Sequence, residues 1–243
     1  MANIVVTGAS RGLGLEFVKQ LSKFSKTPTV FALCRNPDKA EKLQDVAHTC
    51  PNVKIVRADM IEFDQYQEVV SKIHANIQSG GVNLLINNAG MMLKDKLTSV
   101  TKENILDSFH LNSVAPVLFA KALYPLLKAA DNNAFPLKVG KSAILNISAH
   151  LGSIEENTTG DYLSYRISKA AVNMVTKTLA MELKPSDIFV MALHPGWVKT
   201  DMGGKAAPLT PEQSVNGMLT VLAKAEESQR GCLFNNRGKR IPW

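Results

Sequence analysis

The stretch Val5–Gly14 constrains this chain more than any other. An apolar run, Asn3-Ile4-Val5-Val6-Thr7, breaks at Gly8. It passes through Ser10, Arg11, Gly12 and Gly14 into a segment with Leu13, Phe17, Leu21 and Phe24 at helical spacing. A strand-to-helix turn this tight needs residues without a Cβ, to reverse the chain and to let another molecule approach the backbone. Free N–H groups at the start of the helix, with its positive dipole end, suit a bound pyrophosphate. The stretch reads either as a nucleotide cradle opening a βαβ unit or as an ordinary glycine-rich loop; residues further along decide between them.

The same alternation continues along the chain. Strands are predicted at Thr29–Cys34, Val53–Arg57, Val82–Asn87, Ser142–Ser148, Ile188–Leu193 and near Cys232–Phe234. Between them, helices are predicted from Asn36 towards His48, over Phe63–Gln78, over Thr101–Lys128 with Pro116 inside it, over Tyr162–Leu183 and from about Pro211 to Lys224. Near-continuous apolar strands alternating with helices imply a parallel sheet covered on both faces. Right-handed crossovers then leave an α/β, doubly wound sheet as one domain over 1–243, with its ligand crevice beyond the strands' C-terminal ends.

Hydrophobic residues make up 45% and charged residues 20% of the 243 positions, which fits a folded globular chain rather than a disordered one. No apolar run reaches membrane-spanning length, and the chain enters a strand at once, without the pattern of a removable presequence. Cys34, Cys50 and Cys232 are odd in number and far apart, so neither a disulfide framework nor a zinc site is expected and a reducing cytoplasm is. The net charge of +7 is spread along the chain rather than gathered in a stripe, so it reads as a solvated surface with some attraction for anionic ligands rather than a nucleic-acid face. The histidines make no H-x-x-x-H or H-E-x-x-H pattern, and no G-x-S-x-G elbow occurs.

Two strand ends carry chemistry. The second strand runs into Arg35 about twenty residues after the glycine turn, and no Asp or Glu lies between Glu16 and Asp38. A guanidinium there matches a 2′-phosphate in charge and fork geometry, so NADP is favoured over NAD, with Arg11 as a second cation. Asn87-Asn88-Ala89-Gly90 reads as a small-residue surface for a dinucleotide or as a turn. Tyr165 and Lys169 stand one helical turn apart on one face, whereas Tyr162 has Arg166 at that spacing. A nearby ammonium and a cationic nicotinamide both favour the phenolate, so the pair reads as an acid–base couple with a lowered phenol pKa or as a surface Tyr/Lys pair.

With these motifs in this order, the chain resembles the short-chain dehydrogenase/reductase family from end to end. Gly152–Asn157, His194–Gly204 and the short tail are similar to sniffer-type carbonyl reductases. The resemblance implies that Gly8, Ser10, Arg11, Gly12, Leu13, Gly14, Arg35, Asp59, Met60, Asn88, Ala89 and Gly90 hold NADP. It adds Pro195, Gly196, Val198 and Thr200 at the nicotinamide end. It further implies that Tyr165 donates a proton to a carbonyl oxygen, that Lys169 holds the nicotinamide ribose, and that Asn112 positions a relay water. Pairing into a homodimer through the two long helices is implied as well.

One position departs from the family pattern. The family's catalytic serine falls here on Ala149, in Asn146-Ile147-Ser148-Ala149-His150. Three outcomes are open: a bulge turns Ser148 inward, another donor such as His150 takes over, or the hydrogen bond is missing. The expected function is NADPH-dependent reduction of an aldehyde, ketone or quinone, with Ser148 counted among the catalytic residues. The alternative is an impaired NADP-binding regulatory relative. The segment Trp197–Pro211 reads as a mobile flap over the substrate or as an ordinary connection.

Overall fold

The computed structural model describes residues 2–24, 28–131 and 138–243. Its eight strands form one sheet in the order β3-β2-β1-β4-β5-β6-β7-β8, parallel except for the last pair. The strands are β1 (Asn3–Thr7), β2 (Thr29–Cys34), β3 (Val53–Arg57), β4 (Leu84–Asn87), β5 (Ser142–Ile147), β6 (Ile188–His194), β7 (Leu233–Asn235) and β8 (Arg240–Ile241). The α-helices are α1 (Gly12–Leu21), α2 (Glu41–Thr49), α3 (Tyr66–Ala75), α4 (Lys102–Phe109), α5 (Ala115–Lys128), α6 (Leu163–Glu182) and α7 (Pro211–Ala223). The α/β, doubly wound architecture is the expected one.

Strand alternation builds two cores from one sheet. Ile4 and Val6 of β1 and Phe189, Met191 and Leu193 of β6 point to the layer holding α1, α2 and α7. Val5, Ile188 and Val190 point the other way, among residues of α3, α5 and α6. Phe17, Phe31, Phe119 and Phe189 are fully buried, and truncating any one to alanine costs about 3–5 kcal/mol. The strand order reverses between β1 and β4, so the crevice opens where Gly8 and Asn88 lie side by side.

Three elements differ from the sequence expectation. The helix predicted over Thr101–Lys128 is interrupted by a π-turn at His110–Val114. Pro116 has no N–H to give to the carbonyl of Asn112 four residues earlier, which loosens the ladder at that point. Beyond β7 an antiparallel strand, β8, was not anticipated. Gly238, at φ 78°, reverses the chain, and Asn235 Oδ1 accepts the N–H groups of Arg237 and Lys239 at 2.9 and 3.0 Å. Helix α6 begins one residue late because Tyr162 adopts a left-handed backbone, φ 62°, as its N-cap. Its first turn is capped from a distance: Asp95 Oδ1 accepts the Ser164 N–H at 3.1 Å.

Candidate active site

The glycine turn is held by contacts that a side chain would destroy. A Cβ at Gly14 would lie 2.1 Å from the Gly8 carbonyl oxygen, and one at Gly8 would lie 2.9 Å from Ala89 Cα. Gly8 and Gly12 also have positive φ, 65° and 55°. Thr7 Oγ1 accepts the N–H groups of both Asn88 and Ala89 at 3.0 Å, and Asn88 Nδ2 donates to the carbonyls of Thr7 and Gly8. The Asn88-Ala89 pair therefore straps the turn in place, a role not read from the sequence. Arg11 caps α1 with an extended backbone and no side-chain acceptor, and the first turn holds no acidic residue. Its N–H groups and positive dipole end suit an anion, so the residues present fit the phosphates of a dinucleotide. Leu13, half-buried, packs its side chain against the core.

Helix α6 runs antiparallel down the end of β5, and one of its faces carries the polar groups of the site. Thr176, Asn173, Lys169 and Tyr165 follow one another at helical spacing along that face. Thr176 Oγ1 accepts from Asn146 Nδ2 at 2.9 Å, and Asn173 Oδ1 accepts from Ser148 Oγ at 2.6 Å. Lys169 Nζ donates to the Ile147 carbonyl at 2.7 Å. Tyr165 lies one turn further, about 6 Å past Lys169 and so beyond the strand end. The ammonium sits 5.7 Å from the phenol ring centre, and both side chains are buried.

Burial decides the protonation of this pair. It pushes Lys169 down to about 8 and the Tyr165 phenol up from its ordinary value. In the protein alone the phenol is raised by desolvation; the lowering expected from the ammonium together with a cationic nicotinamide is not seen there. A protonated phenol is the form a proton donor needs. Asn112, in the π-turn, completes the group. Its Oδ1 accepts the Met91 N–H and its Nδ2 donates to the Met91 carbonyl and to Ser168 Oγ, each at 2.9 Å. Ser168 Oγ in turn donates to the Tyr165 carbonyl at 2.8 Å. A Cβ on Gly90 would lie 3.0 Å from Asn112 Oδ1 and 3.8 Å from Lys169 Nζ, so these groups converge on one spot.

Ser148 continues the line of β5. No bulge turns it inward: the β5–β6 ladder continues, with its N–H donating to the Leu193 carbonyl at 2.9 Å. Its hydroxyl is buried and committed to Asn173, in the same strand row as Asn146. That bond braces α6 against the end of β5. Ala149, buried with an extended backbone, brings none. Exposed His150 pairs through Nε2 with Glu156 and lies 5.9 Å, ring to ring, from His194. Nδ1 of His194 is buried with no partner, and burial with the neighbouring His150 lowers this imidazole to about 4.

The remaining expected positions surround the crevice. Arg35 is exposed and reaches Asp59 at 3.9 Å; Met60 is buried, its carbonyl accepting from Tyr66 Oη at 2.7 Å. Ser10 is half-buried beside Arg11, whose guanidinium bonds Asp201 at 2.6 Å across the crevice. Pro195 accepts Ser214 Oγ at 2.7 Å, and a Cβ at Gly196 would meet Leu209 Cδ1 at 2.6 Å. The flap is pinned within itself. Val198 bridges Leu209, Trp197 Nε1 donates to the Gly203 carbonyl, and Thr200 Oγ1 accepts the Gly203 N–H. Asp95, Ser168, Asn173 and His194 escaped the sequence reading. Of these, only Ser168 and His194 lie inside motifs that had been singled out.

A model of the short chain dehydrogenase family matches residues 2–209. Carbonyl reductase Sniffer of D. melanogaster superposes with a TM-score of 0.95 at 41% identity, covering all of both chains. The NADPH-bound carbonyl reductase from chicken fatty liver superposes at 0.93 and 38% identity, covering 100% of this chain and 99% of that one. C-signal of Myxococcus xanthus is 34% identical over 169 residues, 69% of this chain and 96% of its own length. The matched span runs through the cradle and the Tyr165–Lys169 turn, and the fold is shared along the full length: this chain belongs to the short-chain dehydrogenase family.

Proposed function

We propose that the protein is an NADPH-dependent reductase of small carbonyl compounds. The observation that carries this reading is the convergence of a buried phenol, a buried lysine and Asn112 past the end of β5, beside a turn suited to phosphates. Gly8, Gly12 and Gly14 with the first turn of α1 would hold the pyrophosphate, and Arg35 the 2′-phosphate; Pro195, Gly196, Val198 and Thr200 would flank the nicotinamide. When bound, the coenzyme supplies the hydride. Tyr165 holds its proton at Oη and delivers it to the substrate oxygen, so that the carbonyl becomes an alcohol. Lys169, near its own midpoint in pH, replaces that proton, with Asn112 ordering the groups behind it. The NADPH-bound chicken reductase and the Sniffer reductase support the choice of coenzyme and reaction.

Oxidation of NADPH with a panel of aldehydes, ketones and quinones tests the proposal. Tyr165→Phe lowers turnover by about 10²–10⁴-fold without weakening coenzyme binding; equal turnover in the variant refutes the assignment. Ala149 favours a second reading, an NADP-binding regulator that does not turn over. Tight NADPH binding with no oxidation by any member of the panel would establish it. Exposed Ile167, Met174 and Met181 on α6, with Leu106 and Phe109 on α4, support pairing of two copies through these helices, which light scattering tests.

A further inference from the structure

A cavity of about 330 Å³ opens past the ends of β6 and β7, lined in part by His150, His194, Gly196 and Trp197. Its lining includes His150, which follows Ala149 in the chain, and Gly196, one of the positions proposed to flank the nicotinamide. Its outer wall is the β7–β8 turn, which contributes exposed Arg237, Lys239 and Arg240. Among the described residues none of these three forms an ion pair. The one carboxylate on the wall, Glu156, lies against His150 Nε2. The rest of the lining includes apolar surface from Trp197, Leu209 and Ile241. Three free cations around an apolar wall are matched by an apolar body with an anionic end.

These cations are not those expected to meet the coenzyme's 2′-phosphate. Arg35 ends β2, and five strand spacings separate β2 from β7, about 24 Å at the usual interstrand distance. We propose that the β7–β8 turn selects carbonyl substrates carrying an anionic tail, the tail lying against Arg237, Lys239 and Arg240. This rests on the reductase reading and names the class of substrate that reductase takes.

The probe is para-carboxybenzaldehyde against its methyl ester, which differ in one negative charge. With NADPH saturating, kcat/KM for the acid exceeds that for the ester by about tenfold at low salt, the difference residing in KM. The preference falls to about twofold at about 0.5 M salt, as the screening length shrinks to a few ångströms. An Arg237→Gln, Arg240→Gln double variant lowers the acid-to-ester ratio by about fivefold or more, whereas Arg237→Lys with Arg240→Lys retains most of it. Equal kcat/KM for acid and ester in the unaltered protein overturns the proposal, as does a ratio that the glutamine variant leaves unchanged. Reduction of the ester without any acid preference leaves the reductase reading standing. Reduction of neither, while other carbonyls of the panel are reduced, overturns this proposal alone; reduction of no carbonyl of the panel overturns both.

Discussion

His194 makes the stability of this protein fall as the pH drops through the range where histidine ordinarily titrates. Its Nδ1 is buried without a partner, and burial with the nearby His150 lowers its pKa from 6.5 to about 4. The unfolded chain therefore takes up a proton as the pH falls below 6.5, while the folded chain stays neutral there until about 4. Folding stability is full above that window and declines through it. Integrating the difference gives a loss of about 2 kcal/mol on going from about pH 7 to about pH 5, and about 3 kcal/mol once both forms are protonated. His194→Leu removes the titration, and it leaves no orphaned polar atom in place of Nδ1. Urea unfolding followed by far-UV circular dichroism at several pH values measures the effect. The midpoint of the unaltered protein drops by roughly 0.6 M more than that of the variant between those two conditions, for a slope near ~3 kcal/mol/M. Parallel declines in the two proteins would refute the reasoning, since His194 would then bear no cost of desolvation.

Gly14→Ala drives a methyl group into the Gly8 carbonyl, which would be only 2.1 Å away, and costs about 3 kcal/mol or more, read from thermal unfolding, together with NADPH binding. Arg35→Glu places a carboxylate beside Asp59 and reverses the coenzyme preference by about 10²-fold towards NADH, measured by the ratio of kcat/KM values. Ser148→Ala strips Asn173 of its donor and destabilises the fold by about 1–3 kcal/mol in chemical denaturation. Ala149→Ser raises turnover by about tenfold or more while the Kd for NADPH stays the same; flat or reduced turnover would show that position 149 does not face the carbonyl.

The parts of the molecule legible in its sequence are those set by local rules. The bounds of β1, β2 and β3 fall where apolar runs meet turn residues, and α7 begins at a Thr210–Gln213 capping box next to Pro211. What was not legible depends on partners far along the chain or on backbone states that residue type alone does not force. Asp95 caps α6 from 69 positions away, Tyr162 adopts a left-handed backbone without being glycine, and β8 is two residues long. The π-turn at Asn112 needed the missing donor of Pro116 to be read four residues backwards.

Ser148 and Ala149 show how far periodicity carries the argument once two elements are read together. Along β5, Asn146 and Ser148 occupy one row; along α6, Thr176, Asn173, Lys169 and Tyr165 occupy one face. Packing these antiparallel pairs Asn146 with Thr176 and Ser148 with Asn173, the contacts observed. Lys169 then falls at the strand's last carbonyl, and Tyr165 projects one turn past it. The helix thus measures the position of its phenol against the strand through two side-chain bonds and one lysine. On this geometry the hydroxyl of Ser148 ties α6 to β5 about two turns before Tyr165, and the next residue, which in this chain is alanine, brings no hydroxyl.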